Sequence, residues 1–228
     1  MSFPDPADYI DIHTHHGVLL PGRDVFSVIS LMAHEEALPV PLPGIAYTTG
    51  IHPWYLSDSS YGDQIAGVAE AAAEGSVIAI GEAGFDRIKG PDPAFQRKAF
   101  EDQVRIAGEH DLPVVIHCVR AWDELLGAHK RLRPSRPWLV HGFRGNRDLA
   151  AQLLSKGMYL SFWFAFIIRP EAGKLIRSLP RERIFLETDG SGADIRDIYE
   201  KVSADLAVTV PGLKNIIYGN YMDLFAKV

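Results

Sequence analysis

The stretch VIAIGEAGFDRIKGPDPAFQRKAFEDQVRIAGEHDLPVVIH, Val77 to His117, reads as a complete strand–helix–strand unit. It opens on the apolar run Val77-Ile-Ala-Ile80, the length of a strand buried on both faces rather than of a helix. After a loop rich in Gly and charge, Asp92 and Pro93 mark a helix start. An Asp side chain at the N-cap takes an orphan N–H, and Pro at the first helical position forfeits nothing. Within Asp92–His110, Phe95, Phe100, Val104 and Ala107 fall at helical spacing. A second β-branched run, Pro113–His117, closes the unit.

The same alternation extends in both directions. Strands are predicted near Ala7–His13, Asp24–Leu31, Gly44–Gly50, Val77–Glu82, Pro113–His117, Pro137–His141, Met158–Trp163 and Ile184–Glu187. Helical patterns cover Trp122–Arg131, Arg147–Lys156, Glu171–Leu179 and Ile195–Val208, and a run Ala66–Glu74 ends at Gly75 as a C′ residue. Eight apolar strands alternating with helices predict an α/β fold, a single (β/α)8 TIM-type barrel over residues 1–228. Its first crossover is short. Only a loop separates the first two strands, and Pro39, Pro41 and Pro43 argue against a full helix in Glu35–Gly44. No linker, repeat or low-complexity stretch divides the chain.

Composition fits that picture. The 228 residues are 47% hydrophobic and 23% charged, ordinary for a domain with a sizeable core. A net charge of −6 excludes a protein that coats nucleic acid through many phosphate contacts, though not a local basic patch. The single Cys118 allows no internal disulfide. The apolar stretch Met158–Ile168 is too short to span a bilayer, and no signal-peptide pattern opens the chain. A cytoplasmic protein without a membrane is expected, and no stable protein partner is inferred.

Ligand-type residues gather where such a barrel builds its sites. His13, Glu82, His117, His141 and Asp189 fall at, or within two residues of, the C-terminal ends of predicted strands. Those ends share one rim of a parallel barrel. In Asp11-Ile-His13-Thr-His15 the alternating residues share a face, so the two imidazoles form half of a divalent-cation site. Asp11 is expected one layer deeper on that face, as an outer partner or in a salt bridge. Glu82 ends an apolar strand where an unpaired carboxylate is costly. Glu187, two residues before Asp189, is expected to point the same way but deeper. His52, in Gly50-Ile-His52-Pro53, is a candidate for ligation, for orienting a substrate oxygen or for capping a loop. His16 is a candidate outer group, while His34, His110 and His129 receive no role.

Taken in order, these fragments carry a resemblance. Asp11-x-His13-x-His15, Gly50-x-His52-Pro53, Gly81-Glu82-x-Gly84-x-Asp86, Pro113-x-x-Ile116-His117, His141-Gly-Phe-x-Gly145 and Leu186-Glu-Thr-Asp189 resemble the TatD-type metal-dependent deoxyribonucleases, amidohydrolase-like barrels. Gln96, Phe100, Asn220 and Leu224-Phe225 extend the match over nearly the whole chain. The resemblance implies two or three divalent metals and phosphodiester hydrolysis of DNA, often from the 3′ end. By position it implies the metal residues His13, His15, Glu82, His117, His141 and Asp189. Two departures stand out: the usual proline after the final Asp-x is absent, with Gly190-Ser191-Gly192 following Asp189, and the chain is short in its first crossover and after Asp189.

The resulting expectation is a metal-dependent hydrolase, a nuclease acting on DNA ends or another small phosphoester. His13, His15 and Asp189 would hold one ion, His117 and His141 the other, with Glu82 bridging. Mixed imidazole and carboxylate donors suit Zn²⁺ or Mn²⁺ better than Mg²⁺. Glu82 and Asp189 are the catalytic candidates, Asp189 as general base. His52, Arg87, Arg120 and Arg144 are the substrate-binding candidates, with Lys89 and Arg147 beside them on the active rim. Trp54, Tyr55, Trp122, Phe143 and Phe164 lie near the same rim as base-stacking or packing residues. Hydrolysis of an amide, lactone or phosphomonoester on the same metal core is the alternative, and an inactive metal-bearing scaffold a third reading.

Overall fold

The structure, a computed structural model, describes residues 3–15, 24–33, 38–40 and 42–226. The expectations for His16, His34 and much of Glu35–Gly44 fall outside those residues. Strands β1 Tyr9–Thr14, β2 Val25–Met32, β3 Ile45–Gly50 and β4 Val77–Asp86 are followed by β5 Val114–Val119, β6 Trp138–Val140, β7 Tyr159–Trp163 and β8 Ile184–Glu187. They lie parallel in sequence order as one eight-stranded sheet. The backbone N–H of Asp189 donates to His13 O across 3.1 Å, joining the segment after β8 to β1 and bringing the sheet round into the predicted barrel. Only residues 15–24 join β1 to β2, and 33–44 join β2 to β3.

The helices are α1 Tyr61–Ala72, α2 Pro93–Glu109, α3 Trp122–Leu132, α4 Arg147–Leu154, α5 Phe164–Ile167, α6 Ala172–Arg177, α7 Ile195–Leu206 and α8 Val210–Phe225. Asp92 caps α2 as the sequence predicts, its side chain accepting from Ala94 N at 2.8 Å. Helix α1 starts earlier and stops sooner than predicted: Ala73 is its cap, so Gly75 lies beyond its end. Among the described residues no helix is long and apolar enough to cross a membrane.

Two turns of α2 explain how the outer layer sets the rim. Gln96 and Gln103, seven residues apart, lie on its buried face beside Phe100. Phe100 packs edge-on against Trp138 at 5.3 Å and against Phe85 at 4.8 Å. The Gln103 amide accepts from Ile51 N at 2.8 Å and donates to Ile51 O, fixing the backbone that leads to His52. The Gln96 amide accepts from Asp86 N at 2.8 Å and donates to Asp86 O and Pro91 O. Buried amides with partners at both ends lock a main-chain position rather than merely filling space.

Strands β4 and β5 approach very closely at Gly84, which pairs with His117 in register. Gly84 has φ +155°, and a Cβ there would meet His117 O at 1.9 Å. Gly108, in the last turn of α2, has open space instead. Gly84→Ala is therefore expected to lower unfolding stability by about 3 kcal/mol or more, from overpacking plus strained backbone. Gly108→Ala should raise it by about 0.5–1 kcal/mol. Urea denaturation of the two variants checks the pair, and equal effects would contradict the close approach.

Candidate metal centre

Glu82 organises the rim. It lies within β4, which runs four residues past it to Asp86, so the expectation that Glu82 ends its strand is corrected. The pairing register shifts between Ile80 and Ala83, and the residue is buried with 2% exposure. Its Oε1 stands 3.3 Å from His13 Nε2 and 3.2 Å from His15 Nε2. Asp189 Oδ1 is 3.7 and 3.6 Å from the same two nitrogens. Glu82 Oε2 faces the other way, 2.7 Å from His141 Nε2 and 3.4 Å from His117 Nδ1. One carboxylate thus divides the donors into two sets.

These donors fit divalent cations. Two ligands at about 2.0–2.1 Å from a tetrahedral ion stand about 3.4 Å apart, close to the spacings observed. Three triads, His13–His15–Glu82, His13–His141–Asp189 and His52–Glu82–His117, each bring their donor atoms within 4.8 Å of one another. His13 Nε2 and Glu82 Oε1 are buried with no hydrogen-bond partner, a costly state that a bound cation would relieve.

The electrostatics agree. Burial pushes the Glu82 pKa up, but His141 and His13 outweigh it and hold the carboxyl well below the usual range. The nearby carboxylates of Asp189 and Glu82 raise His15 to about 10 against the opposing effect of burial. Burial also opposes protonation of His141, yet the Glu82 charge raises it well above the ordinary value. The cluster draws positive charge, which protons supply when no metal does.

His52 behaves differently. Burial, only partly offset by Glu82, lowers its pKa to about 3, so the ring is neutral. Its Nδ1 accepts from Trp54 N at 3.1 Å, which leaves Nε2 as the N–H end, 3.1 Å from His117 Nδ1 and 3.7 Å from Glu82 Oε2. That tautomer suits donation into the site better than ligation, despite its membership of one triad.

A second layer supports the rings. Glu187 is fully buried, accepts from Gly142 N at 2.6 Å and Ser161 Oγ at 2.5 Å, and lies 3.7 Å from His141 Nδ1. Its deeper position beneath the rim matches expectation. Asp86, to which the sequence reading gave no role, accepts from Trp54 Nε1 at 2.7 Å and stands 3.4 Å from His117 Nε2. The signal was present: an acid four residues after Glu82 in an otherwise apolar run.

Asp11 requires a correction. The register of β1 against β2 shifts between Asp11 and Thr14, so Asp11 does not share the face of His13. It turns instead into a cavity of about 290 Å³ with Thr14, Ser27 and Thr188. Among the described residues it makes no salt bridge: Thr188 N and Oγ1 donate to its two oxygens at 2.9 and 2.6 Å. Burial raises its pKa to about 7, the Thr188 hydrogen bonds only partly opposing.

The substrate candidates separate. Arg144 lines the metal cleft, a cavity of about 440 Å³, with its guanidinium 6.0 Å from the Trp163 ring. Arg87 instead pairs with Asp123 at 2.6 Å, and Arg120 is exposed outside the cleft lining. Trp54 and Tyr55 line the cleft, while Phe143 is buried in the core with Trp122 against it at 6.1 Å. Lys89 sits over the Trp54 ring at 3.5 Å.

Eight parallel strands carrying an imidazole–carboxylate cluster at their carboxyl rim define a TIM-type barrel with a candidate metal centre. The chain belongs to the TatD-related DNase family, whose family model matches residues 26–226. A protein named 3′-5′ ssDNA/RNA exonuclease TatD from Erwinia tasmaniensis is 31% identical over 66% of this chain and 60% of its own length. The protein of the same name from Yersinia pseudotuberculosis is 32% identical over 81% of this chain and 72% of its own. The chain thus spans about 60% of the length of several curated relatives. Among solved structures, the TatD homologue YJJV of Escherichia coli superposes with a TM-score of 0.77 at 21% identity, covering 98% of this chain and 100% of that one. A TatD-family hydrolase from Entamoeba histolytica gives 0.77 at 18% identity, covering 100% of both.

The Asp11 environment makes a pH prediction. A carboxyl with a folded pKa near 7 and an ordinary value of 3.8 stays protonated in the fold while the unfolded chain ionises. Stability is therefore full below the ordinary value and falls as pH rises toward the folded one. Asp11→Asn keeps both contacts, accepting from Thr188 N and donating to Thr188 Oγ1. In the chelated protein, wild type should lose about 4 kcal/mol relative to this variant between about pH 4 and 8. Parallel denaturation curves at several pH values would refute the assignment by showing a constant difference.

Proposed function

We propose that the chain is a metal-dependent phosphodiesterase that trims single-stranded DNA from its 3′ end. The observation carrying this reading is the division of donors by Glu82, one oxygen toward His13 and His15 and the other toward His117 and His141. His13, His15 and Asp189 would hold one ion, His117 and His141 a second, with Glu82 between them. Zn²⁺ or Mn²⁺ suits this donor chemistry. A pair of divalent ions supplies a water of lowered pKa and neutralises charge on the attacking and leaving oxygens. Support for the substrate comes from the names of the curated relatives and from Arg144 at the cleft.

The protein's own groups then divide the work. Asp189 is ionised, because the His15 hydrogen bond and the charges of His141 and His13 outweigh its burial. With 24% side-chain exposure it can accept the proton of the attacking water at a carboxylate oxygen. Neutral His52 offers its Nε2 N–H to a phosphoryl oxygen. Arg144 binds a phosphate, and Trp54 and Tyr55, 38% and 47% exposed, offer faces for a terminal base.

Three outcomes are expected. Purified protein should carry roughly one to two divalent transition-metal ions per chain. Elemental analysis below about a tenth of an equivalent after growth in Zn²⁺ and Mn²⁺ would count against the centre. Glu82→Ala and Asp189→Ala should each abolish hydrolysis while the protein still folds. Retention of more than about a tenth of kcat, only about 1.4 kcal/mol of barrier, would defeat the role assignments. Arg144→Ala should raise KM for 3′-ended single strands more than it lowers kcat. Turnover of a small ester or amide, with inactivity on every nucleic-acid end, would overturn the proposal.

A further inference from the structure

A second groove adjoins the metal cleft. It is an open cavity of about 540 Å³ between the loop leading into α4 and the α5–α6 segment, and Arg144 lines both cavities. Three more cations line it, Arg147, Arg169 and Lys174, all exposed, against one carboxylate, Glu171. Its floor is apolar, from the buried Phe166 and Leu175. Arg169 lies 5.8 Å from the Phe166 ring, as Arg144 lies 6.0 Å from Trp163 at the junction of the cavities.

In a chain of net charge −6, some of the cationic side chains are neutralised locally. Arg87, Arg97, Arg131 and Arg196 are each tied to a carboxylate. Arg144, Arg147, Arg169 and Lys174 make no ion pair among the described residues. Unpaired cations clustered along one groove, over an apolar floor and beside an indole, match the chemistry of a strand that alternates phosphates with base faces. The metal cleft, about 440 Å³, has the size of a site for one small ligand. A longer strand engaged there must leave it, and the cationic way out runs past Arg144.

We propose that this groove is the track for single-stranded DNA beyond its reacting 3′ terminus, with Arg147, Arg169 and Lys174 contacting successive phosphates. The inference rests on the phosphodiesterase reading above and extends it to residues remote from the metal donors. A corollary is that chain length matters: nucleotides that never reach the metals contribute to affinity through this groove.

The test is fluorescence anisotropy with a phosphorothioate-linked oligothymidine of about fifteen nucleotides, a length that exceeds most single-strand sites. Such a strand resists cleavage, so binding is read without turnover. Arg169→Glu with Lys174→Glu should weaken binding about tenfold, and flatten the log–log salt slope by about 1.4, at about 0.7 per lost contact. Lys130→Glu with Lys156→Glu carries the same charge change away from the rim and should shift binding less than about twofold. If the reversal unfolds the protein, Arg169→Gln with Lys174→Gln replaces it, with the same direction and a smaller loss. Equal weakening by both reversal pairs, no weakening by either, or no binding by wild type would overturn the groove. Groove-dependent binding without cleavage of an unmodified strand would instead defeat the phosphodiesterase reading and leave the groove standing.

Discussion

A carboxylate sealed inside a barrel of apolar strands costs several kcal/mol unless positive charge meets it. Glu82, with 2% exposure and imidazoles at 2.7 to 3.4 Å around both oxygens, is the point at which this chain meets that cost. The requirement propagates outward. Three strands must deliver His13, Glu82 and His117 to one level, and the segments just past strands must deliver His15, His141 and Asp189 to the same place. A parallel barrel does this because all its carboxyl ends face one side. The fold and the centre are two views of one constraint.

Precision is then a matter of what holds the holders. His141 has Glu187 beneath it, itself fixed by Gly142 N and Ser161 Oγ, and His117 has Asp86, fixed by Trp54 and the backbone at Ile88 and Lys89. Partners of this kind set ring orientation and raise ligand basicity, and their loss typically costs as much affinity as a poor ligand does. Helix α2 contributes through Gln96 and Gln103, which reach the backbone on either side of β4. Rigidity at the rim is thus drawn from hydrogen bonds to main chain, and it leaves exposed side chains such as Arg144 free to meet a variable substrate.

Sequence patterns revealed what is periodic and concealed what is not. All eight strands and the N-cap of α2 were legible, because apolar runs and an Asp-Pro start carry local signals. The gathering of His, Glu and Asp side chains on one rim was legible from their positions at or near predicted strand ends. Asp11 was misread because strict alternation assumes an unbroken pleat, and the register shift before Thr14 rotates it to the other face. Glu82 was placed at a strand end because the Gly- and charge-rich stretch after it read as loop, whereas the absence of side chains at Gly81 and Gly84 is what lets β4 pass close to β5. Helix α8 went unrecognised since Gly212 and Gly219 interrupt its pattern, although Thr209 capping Gly212 N and Pro211 in the first turn mark its start. The basic groove joins Arg144 and Arg147 at the start of α4 to Arg169 and Lys174 on the α5–α6 segment, which no single window of sequence can show.

The family pattern's missing proline has a structural counterpart. Residues Thr188 to Ser191 form a turn closed by Ser191 N donating to Thr188 O at 3.0 Å. Its two central residues, Asp189 and Gly190, have φ of +51° and +64°, as a left-handed turn demands. A proline at 191 has no N–H and could not close this turn. Gly190 meets the backbone requirement without strain, and Asp tolerates it better than most residues. Asp189 is anchored independently, by its own N–H to His13 O at 3.1 Å, so the carboxylate is referred directly to the strand bearing the first histidine. Residue 191 therefore sets how the chain leaves the rim, while the position of the Asp189 carboxylate is fixed separately through His13.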